Sequence, residues 1–311
     1  MTPRGPSRLV LLAALVVAAT VAGDAQRFTS RALGVRVDVL VTNGGRLVRG
    51  LSARDFEVRD EGVVQTVSQL DLEQVPLNLI LVFDTSGSVA GDRMRSLLEA
   101  GNALIEGLRD RDRVAVLSFS TRVRLLAPLT PSRHQIRAAF NSFEARGSTS
   151  LRDAAFAGLA LREEDPGRTL ILIFSDGVDT SSWLTAPAVI QAAKRADAVI
   201  YAVAIAEERQ RLSYGPSARS GLTEVQSARE TVKEAGTFLE NLTEETGGRV
   251  LFASASSSLR ETFTKTLAEF HERYVLSYTP TGVSAIGWHR LEVKLKGTSG
   301  KVTARRGYFA E

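Results

Sequence analysis

The sequence predicts an α/β protein: a doubly wound, mostly parallel sheet flanked by helices, with a small β-sandwich-like module made from the two ends of the chain. Three observations carry this. From residue 77 onward, short apolar runs of strand length alternate with segments whose apolar residues recur at helical spacing. Two of those runs, Leu77 to Phe83 and Thr169 to Phe174, are apolar at nearly every position, as strands covered on both faces must be. Before residue 75 and after residue 273 the pattern changes to period two, which is strand patterning with one buried face.

The chain opens with Arg4 and Arg8, then the small-apolar run Leu9 to Ala22, then Gly23-Asp24-Ala25. That order of positive region, short hydrophobic region and small-residue exit predicts a secretory signal peptide over residues 1–25. The run, about 14 residues, is short of the ~20 that a spanning helix needs. Export to the periplasm, cell envelope or medium is therefore expected, with no transmembrane segment in the mature chain.

Residues 27–74 form the first β segment. Val35, Val37, Val39 and Val41 alternate, Asn43-Gly44-Gly45 marks a turn, and Phe56 to Arg59 and Val63 to Leu70 predict two further strands about a turn at Asp60-Glu61-Gly62. Pro76 sets a boundary, because proline is tolerated at the start of a strand and not inside a central one.

The α/β domain is expected over residues 76–272. Met94, Leu97, Leu98, Gly101, Leu104, Ile105 and Leu108 make one helical face; Val114 to Phe119 is a strand, with a shorter one near Val123 to Leu126. Thr130-Pro131 and Ser132 open a helix carrying Ile136, Phe140 and Phe143, and Gly147 to Ser150 is a loop before a helix over Leu151 to Leu161. After the Thr169 strand come a helix around Pro187 to Ala196, a strand Val199 to Ile205, and a charged surface insertion over Glu207 to Lys233. A helix from Phe238 to Glu245 stops at Gly247-Gly248, a short strand Arg249 to Phe252 follows, and Leu259, Phe263, Leu267, Phe270 and Tyr274 line a closing helix. Residues 273–311 return to strand patterning. They are expected to pack with residues 27–74, because neither half has enough strands to be stable alone.

Composition narrows the function classes. With 311 residues, 44% hydrophobic and 24% charged, the chain is an ordinary globular sequence. Its net charge of +4 is too small and too dispersed for a nucleic-acid footprint. The absence of cysteine removes disulfides, thiol nucleophiles and thiolate metal ligands, and an exported chain without cysteine is compatible with a bacterial envelope or secreted protein. The three histidines, His134, His271 and His289, have no ligand spacing and read as surface or packing residues.

Three polar bursts interrupt the apolar pattern at strand ends or in loops: Asp84-Thr85-Ser86-Gly87-Ser88, the Gly147–Ser150 loop with Thr149, and Ser175-Asp176-Gly177. Ligands bind outside the carboxyl ends of strands in an open parallel sheet. Alternate spacing turns Asp84, Ser86 and Ser88 the same way, with Thr85 facing away and Gly87 expected in a backbone conformation closed to other residues. Any one burst alone is better read as hydroxyls satisfying strand-end and helix-cap groups.

Together and in this order they resemble the metal-ion-dependent adhesion site of von Willebrand factor type A domains: Asp-x-Ser-x-Ser, a lone threonine, a second aspartate. The resemblance covers residues 76 to 272. It implies a Rossmann-like domain holding Mg²⁺, with Mn²⁺ or Ca²⁺ as alternatives, through Asp84, Ser86, Ser88, Thr149 and Asp176. It also implies a protein or other acidic ligand whose carboxylate completes the coordination, with no catalytic residue. Hard cations take oxygen ligands, and a set with only two carboxylates leaves the ion electrophilic. Asp153, just after the threonine loop, invites a role as an additional ligand but reads better as an early-helix acid, and Asp179, near Asp176 and able to support it, reads better as a solvated loop acid. In the tail, Arg273 to Pro280 and Arg306-Gly307-Tyr308-Phe309, with the early Val37 to Val58 segment, are similar to exported acidobacterial-type proteins with this domain.

Enzymatic readings fit less well. Asp84-Thr85 with a second acid resembles the aspartic-protease signature only superficially, since Ser86 intrudes before Gly87 and the surrounding pattern is α/β. Ser86 lacks the Gly-x-Ser-x-Gly context and a placed histidine base. Phosphoryl transfer on Asp84 keeps the Mg²⁺ but lacks a phosphate-cradling loop. A structural envelope module with a vestigial metal site is the second class of reading.

Overall fold

The computed structural model describes residues 34–71, 75–163, 167–175, 177–205, 237–253 and 256–310. The expected signal peptide, the 207–233 insertion and Asp176 lie outside the described residues.

Both ends of the chain build the β part. Strands β1 (Val35–Asn43), β2 (Arg46–Leu47), β3 (Phe56–Asp60), β4 (Val63–Gln65) and β5 (Gln69–Asp71) come first. The next six strands, β6 (Leu77–Asp84), β7 (Arg113–Phe119), β8 (Val123–Thr130), β9 (Arg168–Phe174), β10 (Ala198–Ile205) and β11 (Val250–Ala253), form the central sheet. Then follow β12 (Tyr274–Tyr278), β13 (Gly287–Leu295), β14 (Lys301–Thr303) and β15 (Gly307–Ala310).

β1 lies antiparallel between β12 and β14, while β13 lies antiparallel between β3 and β15, so strands from residues 35–60 pair with strands from 274–310. The inward valines of β1 meet Phe56, Val58, Tyr274, Leu276, Tyr278, Leu291 and Tyr308 in one apolar core. Beneath them lies a buried polar knot, bonded within itself except at His289 Nε2, which has no hydrogen-bond partner. Asp60 accepts from the Tyr278 hydroxyl at 2.9 Å, from the Tyr308 hydroxyl at 2.8 Å and lies 2.9 Å from His289 Nδ1. Burial, followed by the bond to Asp60, pushes both tyrosine hydroxyls above their ordinary range.

The central sheet has the order β11-β10-β9-β6-β7-β8, parallel throughout except for β8, which runs antiparallel at the edge. All eight residues of β6 are buried. One face is covered by helices Asp92–Glu106, Arg133–Phe140 and Ser256–His271, the other by Leu151–Ala160, Ala186–Arg195 and the helix at 237–245. Each fully buried Leu, Ile or Val contributes about 1.5–3 kcal/mol, so the runs legible in the sequence supply the main driving force.

Gly101 shows why its helix seats so closely. A Cβ there would lie 2.9 Å from the Phe140 ring and 3.4 Å from Phe83, in the aromatic stack where Phe83 meets Phe140 and Phe174.

Four local expectations are corrected. The expected strand 63–70 is two short strands, β4 and β5. The strand expected near 123–126 runs to Thr130. Phe143 follows its helix rather than lying in it, yet its ring still packs on Phe83 at 5.2 Å. The closing helix ends at His271, and Tyr274 starts β12, pairs with Val39 and donates to the Val48 carbonyl. Its place four residues after Phe270 mimicked a helical face because apolar spacing cannot mark where a chain leaves one core for another.

The two parts meet through buried arginines. Arg273, fully buried, donates to the Tyr201 hydroxyl at 3.0 Å and the Gly247 carbonyl at 2.8 Å. Arg168 reaches Asp38 and the Arg273 carbonyl, and both guanidinium groups lie over the Phe270 ring.

Candidate metal centre

The strand order reverses at β6, because the chain goes from β6 to β7 and β8 on one side, then to β9, β10 and β11 on the other. The carboxyl end of β6 is thus a topological switch point, where the loops diverge and leave a crevice. Asp84 ends β6 there and is fully buried.

Both Asp84 oxygens are engaged. Oδ1 accepts the Ser86 backbone N–H at 2.8 Å, and Oδ2 accepts the Ser175 hydroxyl at 2.9 Å from the end of β9. These two bonds fix the orientation of the Asp84 side chain. Ser175 also accepts the Gly177 N–H at 3.1 Å. It was not among the residues picked from the sequence. Its signal was position, at the end of the strand beside β6, and strand adjacency is not written in the chain.

Ser86 precedes a 3₁₀ turn at Gly87–Val89, which keeps the alternate hydroxyls on one side: Ser86 Oγ and Ser88 Oγ are 2.9 Å apart. Ser86 is buried and Ser88 exposed, so the pair leads from the crevice floor to solvent. Thr85 faces away, its N–H and hydroxyl both donating to the Phe119 carbonyl at 2.7 and 3.0 Å. Gly87 is not at positive φ. The conformational demand falls instead on Gly147, whose φ is 84° and whose added Cβ would lie 2.5 Å from Thr121 Oγ1.

The Gly147–Ser150 loop is drawn against this turn. The Gly87 N–H donates to the Gly147 carbonyl at 3.1 Å, and the Arg146 N–H to the Thr85 carbonyl at 2.9 Å. Thr149, 6% exposed, is held by its backbone: its N–H donates to Thr180 Oγ1, and its carbonyl accepts from Thr180 and Ser181 N–H. The Thr149 hydroxyl takes no part in these bonds. Asp84, Ser86, Ser88 and Thr149 therefore sit on adjoining segments joined by backbone hydrogen bonds. Asp176 lies outside the described residues.

Asp179 is not a solvated loop acid. Its side chain is 9% exposed; it pairs with the Arg152 guanidinium at 2.9 Å and accepts the Arg152 N–H, the Ser182 N–H and the Ser182 hydroxyl. Burial opposes ionisation, yet these bonds outweigh it and hold the Asp179 carboxyl below its ordinary range. Asp153, in the first turn of its helix, accepts the N–H groups of Trp183 and Leu184. Both acids thus brace the loop beyond the site. His271 bonds Asp112 and His289 bonds Asp60, both buried, while His134 is exposed.

The donor set fits a small hard cation: one carboxyl group fixed in place and three hydroxyls on adjoining segments, all oxygen. Among the described residues no three His, Asp or Glu side chains gather as a metal cluster, so a carboxylate cage of the calcium-buffer kind is not what these residues offer.

Residues 79–179 match the von Willebrand factor type A domain family. The chain is similar to the inter-alpha-trypsin inhibitor heavy chain H4 of Bos taurus, 26% identical over 145 residues, which are 42% of this chain and 16% of the bovine protein. It is also similar to the uncharacterized protein YfbK of Escherichia coli strain K12, 31% identical over 116 residues, 34% of this chain and 20% of that protein. The matched part is thus less than a quarter of either relative's length. Among solved structures, the von Willebrand factor type A protein from Catenulispora acidiphila shares the fold, with a TM-score of 0.50 and 13% identity over 87% of this chain and 71% of that one.

Proposed function

We propose that this chain, which carries a von Willebrand factor type A domain over residues 79–179, is an exported, non-catalytic binding protein that engages a protein or other acidic ligand through a divalent cation. Asp84, Ser86, Ser88, Thr149 and Asp176 would hold the ion, with Mg²⁺ the first candidate and Mn²⁺ or Ca²⁺ alternatives. The observation that supports this most is the buried Asp84 carboxylate at the switch point, pinned by Ser86 N–H and Ser175 Oγ, with the Ser86–Ser88 hydroxyl pair leading outward from it.

When bound, the cation would supply an electrophilic position to a carboxylate of the partner, because hydroxyl ligands neutralise none of its charge. The residues of the chain do the rest. The 3₁₀ turn places two hydroxyls side by side, the Gly87–Gly147 bond holds the two loops together, and the bonds from Ser86 N–H and Ser175 Oγ fix the Asp84 carboxyl group.

Titration calorimetry of the full chain with Mg²⁺, Mn²⁺ and Ca²⁺ tests this. One cation is expected to bind at a single site, and Asp84→Asn, which keeps the size of the side chain, is expected to abolish the heat. Absence of heat in the unaltered chain would point instead to a structural module with a vestigial site, and metal-dependent turnover of a phosphoester panel would point to phosphoryl transfer.

A further inference from the structure

Trp183 is 94% exposed, yet the backbone that carries it is pinned from two sides. Its own N–H donates to both oxygens of Asp153, at 3.2 and 3.0 Å, and the next N–H, of Leu184, donates to the same carboxylate at 2.9 Å. Just before it, Ser182 donates through its N–H and hydroxyl to Asp179. Leu184 packs into the apolar layer beneath, which turns its neighbour Trp183 outward. The loop is continuous with the candidate site, since Thr180 and Ser181, three and two residues before Trp183, donate to the Thr149 carbonyl.

Single exposed apolar side chains are ordinary on protein surfaces, and Ile286 or Val64 need no account. Trp183 differs in that two partly buried carboxylates are committed to fixing it beside a proposed ligand site. A Trp so held presents a large apolar area with little ordering entropy left to lose, and Trp is the residue type most enriched among the few that dominate binding energy. The rim of the crevice also carries basic side chains. Arg93 donates to the Ser88 carbonyl, the Arg146 N–H to the Thr85 carbonyl, and Arg122 is exposed beside Thr121. Arg146 pairs with Glu144 at the surface, and such an exposed pair is weak enough to be exchanged.

We propose that Trp183 is an apolar anchor that acts together with the cation site, and that the partner is a polypeptide presenting an acidic side chain next to an apolar or aromatic one. This rests on the cation-dependent reading above. The carboxylate meets the site at Asp84, and the neighbouring apolar group packs on the Trp183 ring.

A display library of random linear peptides, selected on the full chain in Mn²⁺ and again in chelator, tests it. Peptides enriched only in Mn²⁺ are expected to pair an Asp or Glu with an apolar residue at fixed spacing. Trp183→Ala is expected to weaken their binding about thirtyfold, while its Mn²⁺ affinity, read by calorimetry on the same protein without peptide, stays unchanged. In a Trp288→Phe background, the emission of Trp183 is expected to shift to the blue when a selected peptide binds. If Trp183→Ala binds the Mn²⁺-dependent peptides as tightly as before, or if those peptides show an acid and no apolar neighbour, the anchor is wrong and the cation site stands. If no Mn²⁺-dependent peptide is enriched, or enrichment is the same in chelator, the cation-dependent reading fails and the joint contact fails with it.

Discussion

The backbone N–H of Gly87 donates to the backbone carbonyl of Gly147 at 3.1 Å, so two loops 60 positions apart in the chain are fastened at their glycines. Ser86 and Ser88 flank one of these glycines, and Thr149 lies two residues beyond the other. This bond, with the one from the Arg146 N–H to the Thr85 carbonyl, holds the two loops side by side.

Gly147→Ala places a Cβ at positive φ and within 2.5 Å of Thr121 Oγ1. The left-handed conformation alone costs a non-glycine residue about 1–3 kcal/mol, and the clash adds to it. The melting temperature is expected to fall and cation affinity to weaken together. The double variant Gly147→Ala/Thr121→Ala should recover part of the loss, because it removes the hydroxyl and leaves the strained φ. Because Thr121 Oγ1 also accepts the Ser148 N–H at 3.0 Å, Thr121→Ala alone is the control, and a double variant no more stable in thermal melts than the sum of the two single losses would mean the clash is not felt.

Asp179→Ala removes the acceptor of the Arg152 N–H and guanidinium and of Ser182. The Arg152 N–H keeps its second acceptor, Ser182 Oγ, and loss of the other bonds costs about 1–3 kcal/mol. These contacts brace the loop, so denaturant melts are expected to show the loss while calorimetry still finds one cation per chain. Loss of the cation without loss of stability would move Asp179 into the coordination sphere.

Acid should destabilise the fold through Asp112 as well as Asp179. Burial opposes the charge of Asp112, but bonds from His271 Nε2 and from the N–H groups of Arg109 and Leu77 outweigh it and lower its carboxyl below the ordinary value of 3.8. A carboxyl lowered on folding contributes stability that is complete above its unfolded value and is lost as pH falls through its folded one. Stability is therefore expected to decline below about pH 4, and Asp112→Asn should flatten that decline. An unchanged acid limb in urea melts of Asp112→Asn would show that the pair does not contribute.

We also propose that the β module is one folding unit assembled from both ends of the chain. A chain ending at residue 272 lacks β12 and β14, which flank β1, and β13, which pairs with β3. Residues 35–60 should then lose hydrogen-exchange protection while β6 and β9 keep theirs. Retained protection of β1 in the shortened chain would show that the N-terminal segment is stable alone.

Much of the fold was legible in the residues themselves. Strands β6 and β9 announce their two-sided burial by being apolar throughout, and the period-two valines of β1 announce one buried face. Asp84, Ser86 and Ser88 stand out because a polar burst at the end of a buried strand is costly unless something uses it, whereas Thr149, in a loop before a helix, stands out only through the resemblance. The end of the last helix was less legible, since Tyr274 continues the spacing of Phe270 while belonging to a different core.

What the sequence by itself determined is therefore what depends on local periodicity and on residue type: the α/β class, the two strand-rich ends, and the polar bursts that end β6 and β9. What only the tertiary structure decided is what depends on which segments become neighbours. Ser175 holds Asp84 because β9 pairs with β6. Gly147, and not Gly87, carries the conformational demand because Thr121 crowds it. Asp153 and Asp179 are spent on bracing the loop that presents Trp183. None of these has a local signal, because a hydrogen bond between distant segments depends on the sheet order and the loop approach, and both are products of the whole chain minimising its exposed apolar surface and unpaired polar groups.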